Sequence, residues 1–249
     1  MGFAILPYLG AFIVGLSKAG LATGLGMLTT PLVASAMPAR TAIGLILPLL
    51  CVADVLTMGF YWKQWDWKAI RNLQIGGVVG IGVGMLFVSR VSNNALSLAI
   101  GIVGLIMAVL LVVRERWYPD HVYKPSLVDG VLVGMATGFS SAIAHAAGPI
   151  VAIFLLAQRL SKEAFVASNA IFFTVNNLIK VPPYVAAGLI TTETLRLDLR
   201  YLPMLPLGVA AGWALNRLLP QRYFDVAVQV TLFVTSVHLI VTSWHWTGH

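Results

Sequence analysis

Charged and amide side chains are costly inside apolar segments, so the few that lie there mark where this chain does its chemistry. Lys18 falls in "GLSKAGLATGLG", Asp54 in "LLCVADVLTMGF", His145 in "SSAIAHAAGP", and Asn176, Asn177 and Lys180 in "FFTVNNLIKVPP". A charge at the centre of a membrane helix costs about 2.5–3.5 kcal/mol on insertion scales. Two lysines and one aspartate carried at that cost suit the capture of an anion from water. They do not suit bond-making chemistry, which needs grouped His, Asp and Glu ligands or a nucleophile beside its base. The expectation is therefore a protein that is not an enzyme, with no cofactor and no metal site. The terminal "SWHWTGH" reads as an interface tract rather than a metal tract, and His238 as a helix-packing residue.

The stretch around Lys18 also carries Gly15, Gly20, Gly24 and Gly26. Each glycine costs about 1 kcal/mol relative to alanine in a helix interior, so the helix is expected to break near 17–20. The first amides after such a break lack intrahelical partners and carry partial positive charge, which makes an anion site from backbone alone. Lys18 adds a full charge there. A second interruption, "TGFSSAIAHAAGP", offers Ser140, Ser141 and His145 as donors. Asn176, Asn177 and Lys180 fall within about one and a half turns, and Pro182 and Pro183 are expected to bend or stop the helix that carries them. The expected substrate-binding set is Lys18, Gly20, Gly24, Ser140, Ser141, His145, Asn176, Asn177 and Lys180. Asp54 is expected to pair with a lysine or to carry a coupling proton.

These residues must be held by membrane helices. Of 249 residues, 59% are hydrophobic and only 10% charged, against roughly 25% charged in soluble domains. The net charge of +7 is spread over short loops, which argues against a nucleic-acid partner. Cys51 is the single cysteine, so no internal disulfide can form. The start, "MGFAILPYLG", has neither a basic region nor a cleavage site and reads as mature structure. Eight apolar segments are predicted at 3–36, 41–61, 73–89, 93–113, 127–157, 164–190, 199–219 and 223–243. The loops between them, such as "YWKQWDWKAIR", mix Trp and Tyr with Lys and Arg, as headgroup-level segments do. The glycine run "GVVGIGVG" reads as helix packing.

The two halves resemble one another in order. Gly15 and Pro31 align with Gly134 and Pro149, Gly80 and Gly84 with Gly208 and Gly212, and Asp54 with Asn177. Basic residues then choose a topology. Eight single crossings would leave the loops nearly balanced. If segments 3–36 and 127–157 are instead re-entrant, one side holds Lys63, Lys68, Arg71, Arg114, Arg116, Lys124, Arg159, Lys162, Arg217 and Arg222. The other side keeps Arg40, Arg90, Arg196 and Arg200. That bias obeys the positive-inside rule. The expected fold is an all-α polytopic membrane protein of two inverted repeats, 1–118 and 119–249, each a re-entrant hairpin plus three transmembrane helices. Eight simple spans are the alternative. Inverted repeats with broken helices are a recurring plan of secondary transporters.

The stretches "GLSKAGLATGLGMLTTPLVASAMPARTAIGLILPLLCVADV" and "SSAIAHAAGPIVAIFLLAQRLSKEAFVASNAIFFTVNNLIKVPPYVAAGLI" resemble the two signature regions of the TauE/SafE sulfite exporter family, also called the 4-toluene sulfonate uptake permease family. The resemblance spans essentially the full length. It implies a multi-pass transporter of sulfite, organosulfonates or related anions in a prokaryotic cytoplasmic membrane. It also implies roles for Lys18, Pro31, Gly44, Pro48 and Asp54 in the first region, and for His145, Gly148, Pro149, Asn177, Lys180 and Tyr184 in the second. One departure is visible: members often run glycines together where this chain spaces them as "GLATGLG". The function expected is a secondary transporter of a small sulfur oxyanion, an exporter, working by alternating access; an anion channel and an accessory subunit are the alternatives. The partners expected are that anion and the lipid bilayer, with a homodimer as an open possibility.

Overall fold

Helices account for the architecture of the computed structural model, which describes residues 5–18, 25–60, 62–116, 124–218 and 221–245. In chain order they are α1 (Leu6–Lys18), α2 (Leu25–Ala34), α3 (Ala39–Phe60), α4 (Trp67–Arg90), α5 (Asn93–Arg116), α6 (Leu127–Ala144), α7 (Gly148–Leu156), α8 (Lys162–Ala186), α9 (Thr192–Tyr201), α10 (Met204–Leu218) and α11 (Gln221–His245). No strand occurs among the described residues. Five helices, α3, α4, α5, α6 and α8, are long and apolar enough to span a membrane. Large apolar side chains such as Val83, Leu86, Ile106 and Phe233 are exposed on the outer faces. The chain is a polytopic membrane protein, all-α as its sequence predicts.

The predicted segment 3–36 is two helices of 13 and 10 residues, about 20 and 15 Å long at 1.5 Å per residue. Neither crosses about 30 Å of hydrocarbon alone. They fold back on each other: Val33, near the end of α2, packs against Gly10 of α1, while Gly26, at the start of α2, faces Ser17 at the end of α1. Segment 127–157 is also two helices, α6 of 18 residues, long enough to span by itself, and α7 of 9. Along α6, Gly130 lies on Asn72 and Gly138 on the Gly77 carbonyl of α4, so α6 runs beside α4 in the same direction. After α7 the chain has returned to the start of α4, where Gln158 Nε2 donates to the Ala69 carbonyl at 3.4 Å.

Glycines set the closest contacts, as expected of membrane helices that gain little from hydrophobic burial against one another. The Gly76, Gly80 and Gly84 run of α4 lies on α6, leaving no room for a Cβ. Gly15 of α1 and Gly208 of α10 make an equivalent pair of backbone contacts. Helix pairs follow the same plan across the molecule: α4 with α6 and α1 with α10, α5 with α11, and α3 with α8.

Polar caps set several helix starts. Asp66 accepts from the Lys68 and Ala69 amides, which begins α4 at Trp67, six residues before the predicted segment. Ser126 and Asp129 form a capping box on α6, and Ser161 caps α8. Arg40 ties one end of the bundle together, donating through Nη1 to the Val88 carbonyl at 2.7 Å and through Nη2 to Ala187 at 3.3 Å. At the other end the Asp66 amide donates to Ser168 Oγ at 2.9 Å.

Three expectations are corrected. Pro182 and Pro183 do not stop α8, which continues to Ala186. They sit near its C-terminal end, where only the Leu178 and Ile179 carbonyls lose an amide donor, and the end of the helix is closed by the Leu189 amide donating to the Tyr184 carbonyl at 2.9 Å. His238 does not pack between helices; it is exposed. Segment 199–219 begins as a separate short helix, α9, followed by a turn at 202–203. The terminal histidine tract after 245 lies outside the described residues.

α9 carries one group with a pH consequence. Asp198 is buried, and neither carboxylate oxygen has a hydrogen-bond partner among the described residues. Burial pushes its carboxyl up to about 7, against about 3.9 in an unfolded chain. Between those values the folded state keeps a proton that the unfolded state has lost, so stability falls as pH rises through this window and stays lower above it. Asp198→Asn is expected to raise the melting temperature at pH 8 by about 2–4 °C, equivalent to ~1 kcal/mol for a chain of this size. Near pH 4 the difference should vanish. Thermal unfolding of purified protein at the two pH values reads it out.

Candidate functional site

The two hairpin tips and the long helices α3 and α8 enclose a cavity of ≈ 110 Å³, lined by Ser17 and Lys18, by Gly26 and Met27, by Ser141, His145 and Gly148, and by Leu50, Asn169, Phe173 and Asn177. Each pair of half-helices contributes an end. Among the described residues α1 runs to Lys18 and α2 runs from Leu25, and the first described turn of α2, with Gly26 and Met27, faces the cavity beside the lysine. α6 stops at Ala144, and α7 starts at Gly148 with Pro149 in its first turn and no side-chain cap. Proline is pre-organised for that position because its missing N–H would have no intrahelical partner. The N-terminus of α7 therefore opens on the same space as the first described turn of α2, and it carries partial positive charge.

His145 makes the second break. It sits at the C-cap of α6 in the left-handed region, φ 51° and ψ 24°, with its amide donating to the Ser141 carbonyl. Non-glycine residues seldom adopt that conformation, though histidine does so more often than most. Here the ring is held on both sides. Nε2 lies 3.0 Å from the Ile43 carbonyl, which can only accept, so Nε2 carries the proton. Nδ1 is then an acceptor and receives a hydrogen from Lys180 Nζ at 3.0 Å. Ser140 Oγ donates to the Ala146 carbonyl and braces the turn from inside. Tyr184 donates to the Ala142 carbonyl at 2.7 Å and packs its ring 5.9 Å from that of His145.

Charge is distributed unevenly. Lys180 is wholly buried and donates also to Ser141 Oγ at 2.9 Å and to the Ser141 carbonyl at 3.3 Å. All three of its acceptors are neutral. Lys18, by contrast, is ion-paired with Asp54 Oδ1, and Asp54 Oδ2 accepts from Asn177 Nδ2 at 2.6 Å. Two lysines thus stand against one buried carboxylate around the cavity, so the formal charge of this group is positive. That is what a small anion with several oxygens needs: fixed donors and positive charge in place of its hydration shell.

Of the residues picked out in the sequence, Lys18, Ser141, His145 and Asn177 line the cavity, while Lys180, Ser140 and Asp54 hold those residues from behind. Asn176 is turned elsewhere. Its Nδ2 donates to the Phe172 carbonyl at 2.8 Å, and its Oδ1 faces Gly77 of α4. Gly20 and Gly24 lie outside the described residues. Sequence reasoning missed Asn169 and Phe173. They stand two turns and one turn before Asn177 on α8, and the i, i+4, i+8 spacing could have found them. No cluster of three or more metal-ligating side chains occurs among the described residues.

The model of the sulfite exporter TauE/SafE family matches residues 8–239. The chain belongs to the TauE/SafE sulfite exporter family. It is accordingly a multi-pass membrane protein of a transporter family, not of an enzyme family. The match runs from α1 into α11, so both hairpins and the cavity between them lie within the TauE/SafE region. No curated protein and no solved structure matches this chain.

Proposed function

We propose that this TauE/SafE member is a secondary transporter that carries a small sulfur oxyanion, sulfite or an organosulfonate, outward across a prokaryotic cytoplasmic membrane by alternating access. The observation that carries the reading is the meeting of Lys18, the first described turn of α2 and the N-terminus of α7 on one cavity. The anion would accept from backbone amides at the start of α7 and from Lys18, Ser141 and Asn177. Lys180 would supply a second positive charge from behind.

Alternating access by inverted repeats, 1–118 and 119–249, has support in the packing. Gly15 lies against the Leu205 carbonyl and the Val209 amide, and Gly138 lies against the Gly77 carbonyl and the Ile81 amide. Likewise Gly208 meets the Phe12 carbonyl, and Gly80 meets that of Met135. Every residue in one set has its counterpart in the other at a constant spacing for each helix. This favours pairing Gly15 with Gly138, one turn later than the sequence alignment with Gly134. The same register relates Asp54 to Asn177, 123 positions apart. A re-entrant reading of the hairpins is supported by the return of α7 to the start of α4 and of α2 to Gly10. The positive-inside rule then puts the Trp62–Trp65–Trp67 cluster and the start of α4 on the cytoplasmic side.

Counterflow in proteoliposomes tests the proposal. With excess unlabelled sulfite inside, labelled sulfite should accumulate transiently above its equilibrium level, by about threefold or more over protein-free vesicles. Such overshoot requires a carrier that exposes its site alternately. Sulfite movement without overshoot would replace the carrier by a channel, and no sulfite movement would end the sulfite reading.

A further inference from the structure

We propose that Asp54 is a displaceable counter-ion that takes up a proton as the anion enters and gives it back as the anion leaves, so that anion binding is linked to protonation of this carboxylate. The proposal rests on the anion-transporter reading and adds a proton linkage to its binding step.

The geometry that points this way is the arrangement of donors around one carboxylate. Asp54 is only 1% exposed, and each of its oxygens is engaged, Oδ1 by the Lys18 ammonium and Oδ2 by the Asn177 amide. Lys18 and Asn177 both line the cavity, whereas Asp54 does not. The same two side chains that face an incoming anion are therefore already committed to the carboxylate behind them. A purely structural ion pair would gain nothing from sharing its donors with a cavity.

Other groups around Asp54 cannot take over as its partners. Lys180 of α8 has its donors directed at Ser141 and His145. His145, at the break after α6, donates to Ile43. Cys51 lies one turn earlier on the same helix, α3, and is a free thiol. An anion that draws Lys18 and Asn177 into the cavity leaves a buried carboxylate with no cation, which is strongly unfavourable. Transfer of a proton from water on the open side of the cavity to an Asp54 oxygen removes that charge. When the anion leaves, the proton returns to water and the pair with Lys18 re-forms. Because only the exchange of partners is required, the device works for a monoanion and a dianion alike.

Proton uptake on binding is the measurement. Full-length protein in lipid nanodiscs is titrated with sodium sulfite in weak buffer near neutral pH, with bound anion and pH change recorded together, for wild type and Asp54→Asn. Protons that sulfite itself brings or takes appear in both proteins and cancel in the difference. Wild type should take up about one proton more per bound sulfite than the variant; equal uptake overturns the proposal. Infrared difference spectra of wild type alone guard against a variant that fails to fold. A protonated-carboxyl band should appear on sulfite binding, and its absence equally overturns the idea. If wild type binds no sulfite at all, the anion reading itself has failed, a result distinct from binding without a proton.

Discussion

Lys180→Met is expected to lower sulfite flux about 100-fold while leaving the stability of the folded protein little changed. Both effects arise from one buried charge. At an effective dielectric of about 20, a unit charge some 6–8 Å from an anion contributes roughly 2–3 kcal/mol, and every 1.4 kcal/mol is tenfold in affinity. Without the ammonium, Ser141 Oγ and His145 Nδ1 also lose the donor that orients them. Stability should change little, since the desolvation cost of a wholly buried amine with no carboxylate within ion-pair distance among the described residues offsets the donor that Ser141 and His145 lose. Replacing such a charge by an apolar chain of similar length removes a desolvation cost. Thermal unfolding in detergent and flux in proteoliposomes separate the possibilities. A destabilised variant with normal flux per folded molecule would make Lys180 a structural residue and would remove it from the site.

The second large effect concerns the contact that positions the second hairpin. Gly138→Leu is expected to cost more than about 3 kcal/mol, beyond the usual 1–3 kcal/mol of core overpacking, and to leave little folded protein. A Cβ at Gly138 would overlap the Gly77 carbonyl oxygen and crowd the Ile81 amide. Those are backbone atoms of a long helix and cannot turn aside as a flexible side chain would. Separating α6 from α4 would also displace Ser140, Ser141 and the His145 turn at the far end of α6. Gly82→Ala is the control, because nothing lies within 4 Å of its added Cβ. That change should stabilise by about 0.5–1 kcal/mol through helix propensity. Size-exclusion profiles and melting temperatures of the two variants give the comparison; a well-folded Gly138→Leu protein would show the contact to be dispensable.

Much of the site could be read from residue type and surroundings. Lys18, Asp54, His145 and Lys180 stand out because a charge or imidazole amid apolar residues is retained against an energetic cost. Glycines and a proline at Gly15, Gly26 and Pro149 pointed to the two interruptions, since both residue types are poor in a helix interior, although each of the three lies within a helix close to its interruption. What spacing could not supply was direction. Asn176 and Asn177 are neighbours of the same type, but successive helical residues point about 100° apart, so one faces the cavity and the other faces α4. Choosing between them requires knowing which helix lies on which side of α8. α9 escaped notice for a related reason: its polar face reads as a loop until α3 and α1 are there to bury Thr194, Asp198 and Tyr201.

By itself the sequence determined that the chain lives in a membrane, that helix is weakened at two places, and that Lys18 sits at the first of them. Each of these follows from local transfer free energies and backbone propensities, which act residue by residue. Only the tertiary structure decided that Lys18 pairs with Asp54, that Lys180 holds His145 and Ser141, and that Asn177 joins the two halves of the site. Those partners lie 35 to 123 positions apart in the chain. Their meeting depends on the register in which glycine-lined helices pack, and that register is a property of surfaces brought together rather than of any one segment.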